Sequence, residues 1–485
     1  MEGGFVEGRH VAGLGAPFTV ENPSTGSVIK TLSGMSLRQV GEAISSARRA
    51  FDSGIWSDLP IAARAETLRR YVAGLEARAD RIIDLVALEA GCPRFTPSMR
   101  SQVQTPLAQA YQIIDLALAL PDYEDNPLPI SERVNPMGQP YQSLRQYTPI
   151  GVVAAIAAYN FPFLTALWKV MPALITGNMV VLRPSPLTPL SAVVFGEAAD
   201  EAGLPPGVLN IVVEGGIEGA QLLTTHADVD MVAFTGSTAV GVQVMQQAAA
   251  TMKRLQLELG GKSAQIFLPD AIDKVVPVMI GACTAHAGQG CALGTRIFVP
   301  EADKPAIVEK IKAAFAAIRI GGADDLTTQL GPVISAAQRA RCEHFVALAV
   351  ESGGTIVTGG RRPDSPEGGF FFEPTVLDLP DNANPAAQEE IFGPVLCIIG
   401  YRDLDHAVQM ANDSRYGLSG YVFGADRRKA LEVALRIKSG TVNVNGAMMS
   451  SYVSAGGQRM SGVGRERGVE GIRLYQQLSC INMGA

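Results

Sequence analysis

One cysteine in this chain sits among glycines: the segment GQGCALGTR sets Cys291 between Gly288, Gly290 and Gly294, where backbone can approach a ligand closely. A thiol presented this way is a candidate nucleophile, although a cysteine taken alone reads equally as a small buried hydrophobe. Four other segments carry residues that such a nucleophile would need. LELGGK holds Glu258 in surroundings apolar enough to desolvate a carboxylate and raise its pKa toward neutrality, as a general base requires; its plain reading is an edge-strand glutamate in water. AAYNFPF puts Asn160 in a buried run. Its amide must find partners there or cost about 1 to 3 kcal/mol. It either holds a turn before Pro162 or donates to an oxyanion, a contribution on the order of 3 kcal/mol to a transition state. FTGSTAVG ends an apolar strand on Gly236 and Ser237 and starts a helix, whose orphan backbone N–H groups and dipole favour phosphate. It lacks the full GxGxxG pattern, so it is either an atypical dinucleotide site or an ordinary strand-to-helix connection. EEIFGPV offers Glu390 and Phe392 on an apolar loop, a carboxylate for ribose hydroxyls beside an aromatic wall, or simply a capped turn.

These segments need a scaffold, and the texture of the chain supplies one. From residue 150 onward, apolar strands GVVAAIA, MVVLRPS, VLNIVVEG, MVAFTGS and LQLELGG alternate with helical patterns, the signature of a parallel sheet covered on both faces. A second α/β unit follows residue 260, with RIFVP, GTIVTGG, TVLDL, VLCIIG, GYVFG and TVNVNG as its strands. Before them, FTVENPSTGSVIKTL predicts two strands around an Asn-Pro-Ser-Thr-Gly turn, then a helix from about Ser36, with helical patterns to about residue 120. After the proline and acid cluster PDYEDNPLPI, the polar segment SERVNPMGQPYQSLRQYTPI suggests a hairpin outside the main body, a candidate assembly element.

Composition excludes several classes. The 485 residues, 47% hydrophobic and 18% charged, predict two or three well-packed domains, with disorder in no more than the first ten or so residues. A net charge of -7 without a long Lys/Arg run gives no footprint for nucleic acid or an anionic membrane. Six scattered cysteines without CxxC pairs and only five histidines indicate neither a disulfide framework nor a metal site, and fit a reducing cytoplasm. The N-terminus MEGGFVEGRHVAG does not read as a secretory signal. Residues 149 to 182 carry a single charge, Lys169, but Asn160, Pro162 and Pro172 interrupt the run, which therefore reads as a buried strand and helix rather than a membrane span.

Taken together, PIGVVAAIAAYNFPF, GNMVVLRPS, FTGST, LELGGK, GQGC, EEIFGPV, NDSRYGLSG and MSGVGRERG occur in the order and near the spacing of the aldehyde dehydrogenase superfamily, which the whole chain resembles. The resemblance implies an α/β fold with a Rossmann-type coenzyme domain (1–130 and 150–258), an α/β catalytic domain (259–468) and a small oligomerisation element (131–149 and 469–485) that would join a partner subunit in a homodimer or homotetramer. It implies NAD(P)-dependent oxidation of an aldehyde to a carboxylic acid. Cys291 would be the nucleophile that forms a thiohemiacetal and then a thioester, Asn160 the oxyanion donor, and Glu258 the base for hydrolysis. Lys169 and Glu466 would relay protons, Gly236 and Ser237 would meet the pyrophosphate, and Glu390 and Phe392 the nicotinamide ribose and ring.

Three departures from the family pattern bear on cofactor and substrate. The adenosine-ribose motif reads RPSP, with Arg183, Ser185 and Pro186, where the family usually has Lys and a Glu three residues on. Loss of that carboxylate makes NADP a possible cofactor, with NAD as the first expectation. Around the nucleophile, Thr284, Gly290 and Leu293 replace commoner residues. The tunnel positions Phe161, Leu164, Trp168, Gly290, Ala447, Met449 and Tyr452 suggest a bulky hydrophobic or aromatic aldehyde. The motifs place no arginine in that tunnel and leave open one from a loop. A semialdehyde dehydrogenase, a form that passes the acyl group to coenzyme A, and a catalytically silent structural homologue are the competing expectations.

Overall fold

The apolar run from 149 to 182 folds as the strand Val152–Ile156, the helix Pro162–Ile175 and the strand Met179–Arg183. Pro162 opens the helix at a position whose N–H would have no partner anyway. The computed structural model describes residues 3–446 and 450–484. Among them, no helix is long and apolar enough to cross a membrane.

The two strands belong to an eight-stranded sheet ordered Gly462–Val463, Arg254–Glu258, Met231–Thr235, Val152–Ile156, Met179–Arg183, Leu209–Ile211, Gly3–Val6, Arg9–Ala12. Its five central strands are parallel. Every residue of Val152–Ile156 and Met179–Arg183 is buried, which requires both faces to be covered. The helices Leu37–Asp52 and Pro162–Ile175 both pack on Met179–Arg183. Leu37–Asp52 starts where the sequence places it: Ser36 and Gln39 form a reciprocal capping box, and Val40, Ala43, Ile44 and Ala47 form its buried stripe. The chain winds outward from Val152–Ile156 to one side and then returns to place Met231–Thr235 on the other. That reversal opens a crevice beyond the carboxyl ends of these strands.

Five residues after Glu258, the chain enters a seven-stranded sheet ordered Thr355–Thr358, Thr375–Asp378, Val395–Tyr401, Gly294–Pro300, Ser263–Phe267, Ser419–Phe423, Thr441–Val444. All neighbours are parallel except the first pair. Carboxyl ends of the first sheet thus lead directly to the amino ends of the second. Ser263–Phe267, a central and wholly buried strand, is missing from the strands read in the sequence, because polar Ser263 and Gln265 break the apolar signal. Gln265 earns its burial by donating to the Gly294 carbonyl at 2.6 Å.

Two expectations need correction. Residues 3–10, where the sequence leaves room for disorder, form most of a hairpin on the edge of the first sheet, with Phe5 buried and paired to Ile211. Glu7 and Gly8 both take positive φ at its turn, the geometry that matches strand twist. The hairpin expected around residues 131–149 is reduced to a single Val134–Pro140 bridge. Pro136 and Pro140 lack the N–H groups a ladder needs. Tyr141–Pro149 pairs instead along nine residues with the terminal strand Gln476–Gly484, and with Tyr123–Asp125 on its other side.

Candidate active site

Cys291 lies just before the amino end of Gly294–Pro300, half-buried, on a loop with an unusual backbone. After the helix Val275–Thr284, His286, Ala287 and Gly288 take φ of 47°, 52° and 71° in succession. Left-handed backbone costs roughly 1–2 kcal/mol per non-glycine residue, so packing must hold this turn. Gly288 lies against the Gly393 carbonyl, where a side chain would collide. Gln289 is buried, its side-chain oxygen accepting from the Ile334 N–H at 2.9 Å. The Tyr421 hydroxyl donates to the Ala292 carbonyl at 2.9 Å.

Asn160 reaches this loop from the carboxyl end of Val152–Ile156. Its side-chain amide donates to the Gln289 carbonyl at 2.8 Å, and its own carbonyl accepts from Gln102 at 2.7 Å. An amide nitrogen carries two N–H groups, so one remains for an oxyanion. Glu258, at the end of Arg254–Glu258, is buried with one carboxylate oxygen unpartnered. Burial, helped by the charge of Glu466 and opposed by Lys169, Arg465 and Arg467, pushes its pKa up to about 8. Burial also pushes the Cys291 thiol up to about 12, with Glu258, Glu390 and Glu466 adding to it. The resting pair is therefore a neutral thiol facing a largely protonated acid near neutrality.

Behind Glu258, Lys169 is fully buried and bridges Glu466 and the Thr235 hydroxyl, both at 2.6 Å. An ammonium so deep in the protein is tolerable only with such partners. This chain of ionisable groups leads from the sheet ends toward Glu258, as a proton relay requires.

The crevice beyond the first sheet has the features a dinucleotide needs. Gly236 and Ser237 end Met231–Thr235, and Ser237 caps the exposed amino end of Thr238–Ala248, accepting from the Val240 N–H at 3.3 Å. Across from it, Glu390 accepts from the Gly261 N–H at 2.9 Å, and its other oxygen lies so close to Gly260 that a side chain there would displace the carboxylate. Burial raises its pKa to about 7. Phe392, at φ 62°, sets its ring edge-on to Tyr159 at 6.0 Å.

At the far end of this crevice the structure adds a residue that the sequence reading missed. The Arg183 guanidinium is buried and engaged, donating to Glu214 at 3.0 Å and to the Gly216 carbonyl at 2.7 Å. Glu214 also accepts from the N–H groups of Gly219 and Ala220, at the start of the helix Glu218–Thr225. It brings a carboxylate from the loop after Leu209–Ile211 to the Arg183 guanidinium. The signal was the EGGIEG run after VLNIVV. Ser185 turns inward, accepting from the Leu187 N–H at 3.3 Å, and Pro186 is half-buried.

Of the expected tunnel residues, Leu164 is buried, while Phe161 packs edge-on against the His286 ring at 5.5 Å. Trp168 donates to Gln109 at 2.8 Å, Gly290 packs under the Leu293 side chain, and Tyr452 is exposed. Ala447 and Met449 lie outside the described residues.

Residues 10–481 match the aldehyde dehydrogenase family. The chain belongs to the aldehyde dehydrogenase family. It is similar to geranial dehydrogenase of Castellaniella defragrans, with 36% identity over 98% of each chain. Among solved structures, betaine aldehyde dehydrogenase of Staphylococcus aureus, in complex with NAD+, is 33% identical over 99% of this chain and 97% of that one, with a TM-score of 0.94. Aldehyde dehydrogenase C of Pseudomonas syringae, a cysteine-to-alanine mutant with NAD+ and octanal, is 34% identical over 99% and 96%, with a TM-score of 0.92. As a family member the protein is an aldehyde dehydrogenase.

Proposed function

We propose that the protein oxidises a bulky hydrophobic or aromatic aldehyde to its carboxylic acid with NAD as acceptor. The observation that carries this is the convergence of Cys291, Asn160 and Glu258 between the carboxyl ends of one sheet and the amino ends of the other. The Cys291 sulfur adds to the aldehyde carbon while its proton passes to Glu258 in its ionised form, which is regenerated by proton loss through Lys169 and Glu466 before hydrolysis. The carbonyl oxygen becomes an oxyanion held by the free Asn160 N–H and the Cys291 backbone N–H. When bound, NAD supplies the hydride acceptor. The resulting Cys291 thioester is hydrolysed by a water that Glu258 deprotonates, and the thiolate leaves. Lys169 and Glu466 carry the released proton away from Glu258.

Gly236 and Ser237 receive the pyrophosphate, and Glu390 with Phe392 frames the nicotinamide ribose and ring. NAD is favoured over NADP because the Arg183 charge is already neutralised by Glu214, whose carboxylate also repels a 2′-phosphate. A hundredfold preference for NADP in a titration would overturn that choice. The hydrophobic substrate class is supported by Phe161, Leu164, Trp168 and Tyr452, and by the geranial and octanal named for two relatives. We divide the chain as its sequence suggests, into coenzyme domain 1–130 and 150–258, catalytic domain 259–468 and assembly element 131–149 and 469–485; two strands cross those bounds, Gly462–Val463 pairing with Arg254–Glu258 in the first sheet and Tyr123–Asp125 pairing with Tyr141–Pro149 of the assembly element. Its exposed terminal strand, with Leu478, Ile481 and Met483 open to solvent, suits a second copy of the chain in a homodimer or homotetramer. Six free thiols fit a reducing, cytoplasmic setting.

The test follows absorbance at 340 nm with NAD and NADP across short, long-chain, aromatic and semialdehyde substrates, with Cys291→Ala as control. Cysteine-dependent reduction is expected, fastest with long-chain or aromatic aldehydes. Far better turnover of succinic semialdehyde overturns the substrate class. Acyl-thioester formation on adding coenzyme A overturns water as acceptor.

A further inference from the structure

The sequence RERG places Arg467 directly after Glu466, and the structure turns it toward the helix that carries Trp168. Its guanidinium lies over the Trp168 ring, 4.8 Å from the ring centre, and donates to the Ser450 carbonyl at 3.1 Å. It thus joins two segments, the helix Pro162–Ile175 and the loop before Tyr452, that both contribute channel positions. Its Nε is buried and unpartnered, and no carboxylate among the described residues lies within ion-pair distance. Ala447, Met448 and Met449, outside the described residues, are uncharged side chains. The groups whose fields Arg467 feels are Glu466, Glu258 and Arg465. Glu466 is already held by Lys169, and Arg465 is another cation. Around Glu258, then, Lys169, Arg465 and Arg467 stand against two carboxylates, so this end of the site is net positive.

We propose that Arg467 is a specificity-determining residue that closes the channel to cationic aldehydes. It acts in two ways. It occupies the face of Trp168 on which a quaternary ammonium would settle, and its unpaired charge repels a second cation at short range. The chain therefore does not share the substrate named for its betaine aldehyde dehydrogenase relatives, despite 33% identity and a TM-score of 0.94. The inference rests on the proposed function in taking Trp168 as channel wall.

The test compares betaine aldehyde with 3,3-dimethylbutanal, which has the same shape with carbon in place of the charged nitrogen. The wild-type enzyme is expected to favour the neutral aldehyde by about thirtyfold or more in kcat/KM. Arg467→Gln narrows that ratio about tenfold or more, whereas Arg467→Lys, which keeps the charge, retains most of it. A wild-type ratio within threefold of unity, or a ratio that Arg467→Gln leaves unchanged, overturns the proposal. Binding is read separately through Trp168 fluorescence, Trp56 being the only other tryptophan and buried away from solvent. 3,3-Dimethylbutanol is expected to perturb the wild-type emission, and choline to do so only in Arg467→Gln. Choline binding to the wild type as tightly as the neutral alcohol, or binding of neither, overturns the proposal. Failure to oxidise any aldehyde counts against the proposed function instead, and leaves the fluorescence comparison to decide the role of Arg467.

Discussion

The coenzyme crevice and the nucleophile loop stand side by side but are built on opposite principles. In the crevice, polar side chains have partners before any ligand arrives: Arg183 with Glu214, Glu214 with two helix N–H groups, Glu390 with Gly261, Ser237 with Val240. Across the site, Glu258 has an unpartnered oxygen, the buried His286 ring has no partner at either nitrogen, and two non-glycine residues take left-handed backbone. Burial lowers the His286 pKa to about 4, which keeps the ring neutral beside Phe161. A binding surface works by being preorganised and satisfied, whereas groups that must react are left with capacity to spare.

That contrast can be broken most sharply at the loop. Cys291→Ala is expected to lower turnover by about 10⁴-fold or more while leaving NAD binding near its wild-type value; equal losses of both, measured by steady-state rates and calorimetry, would mean the two regions are not separable. Glu258→Gln should cost about a thousandfold in thioester hydrolysis. Because the folded pKa of Glu258 is raised to about 8, the base is mostly protonated below that pH, so wild-type hydrolysis should rise with pH through about 8. The variant should lose that limb in single-turnover pH profiles. Asn160→Ala should reduce the rate on the order of a hundredfold, with a KM close to wild type.

On the crevice side effects should be smaller. Glu214→Gln removes a carboxylate and frees Arg183, and the NADP-to-NAD ratio of kcat/KM should rise about tenfold; an unchanged ratio would show that the pair lies too far from the ribose to matter. The smallest effect belongs to Ala287→Gly, which relieves a left-handed residue at φ 52°. After the entropy cost of glycine, it should raise stability by about 0.5 to 1 kcal/mol in chemical denaturation.

The same contrast separates what could be read from the sequence from what could not. Cys291, Glu258, Asn160, Lys169 and Glu466 stand in local motifs, so each was legible, and the structure gathers them about one point. The alternation of buried strands and helices announced both large sheets. What escaped depends on contacts between segments distant in sequence. Arg183 alone reads as a phosphate ligand; only the fold shows Glu214, from the next strand's loop, holding it. Arg467 reads as one charge in a polar string until Trp168 is brought beneath it. Ser263–Phe267 hides because Ser263 and Gln265 break its apolar run, Gln265 being satisfied only by the distant Gly294 carbonyl, and the N-terminal hairpin because four-residue strands are too short to carry a pattern. The left-handed turn at His286 and Ala287 has no signature in residue type at all.

The Lys169–Glu466 pair spans 297 residues of chain, and Gly462–Val463 completes the sheet edge beside Glu258. During synthesis on the ribosome, then, every strand of the coenzyme crevice except that short edge emerges long before the site can close. A nascent chain has a lysine destined for burial without its counter-ion until Glu466 has been added. Assembly of the active site therefore waits on residues 462–466, and a product truncated before residue 462 would be left with an unfinished sheet and no finished chemistry.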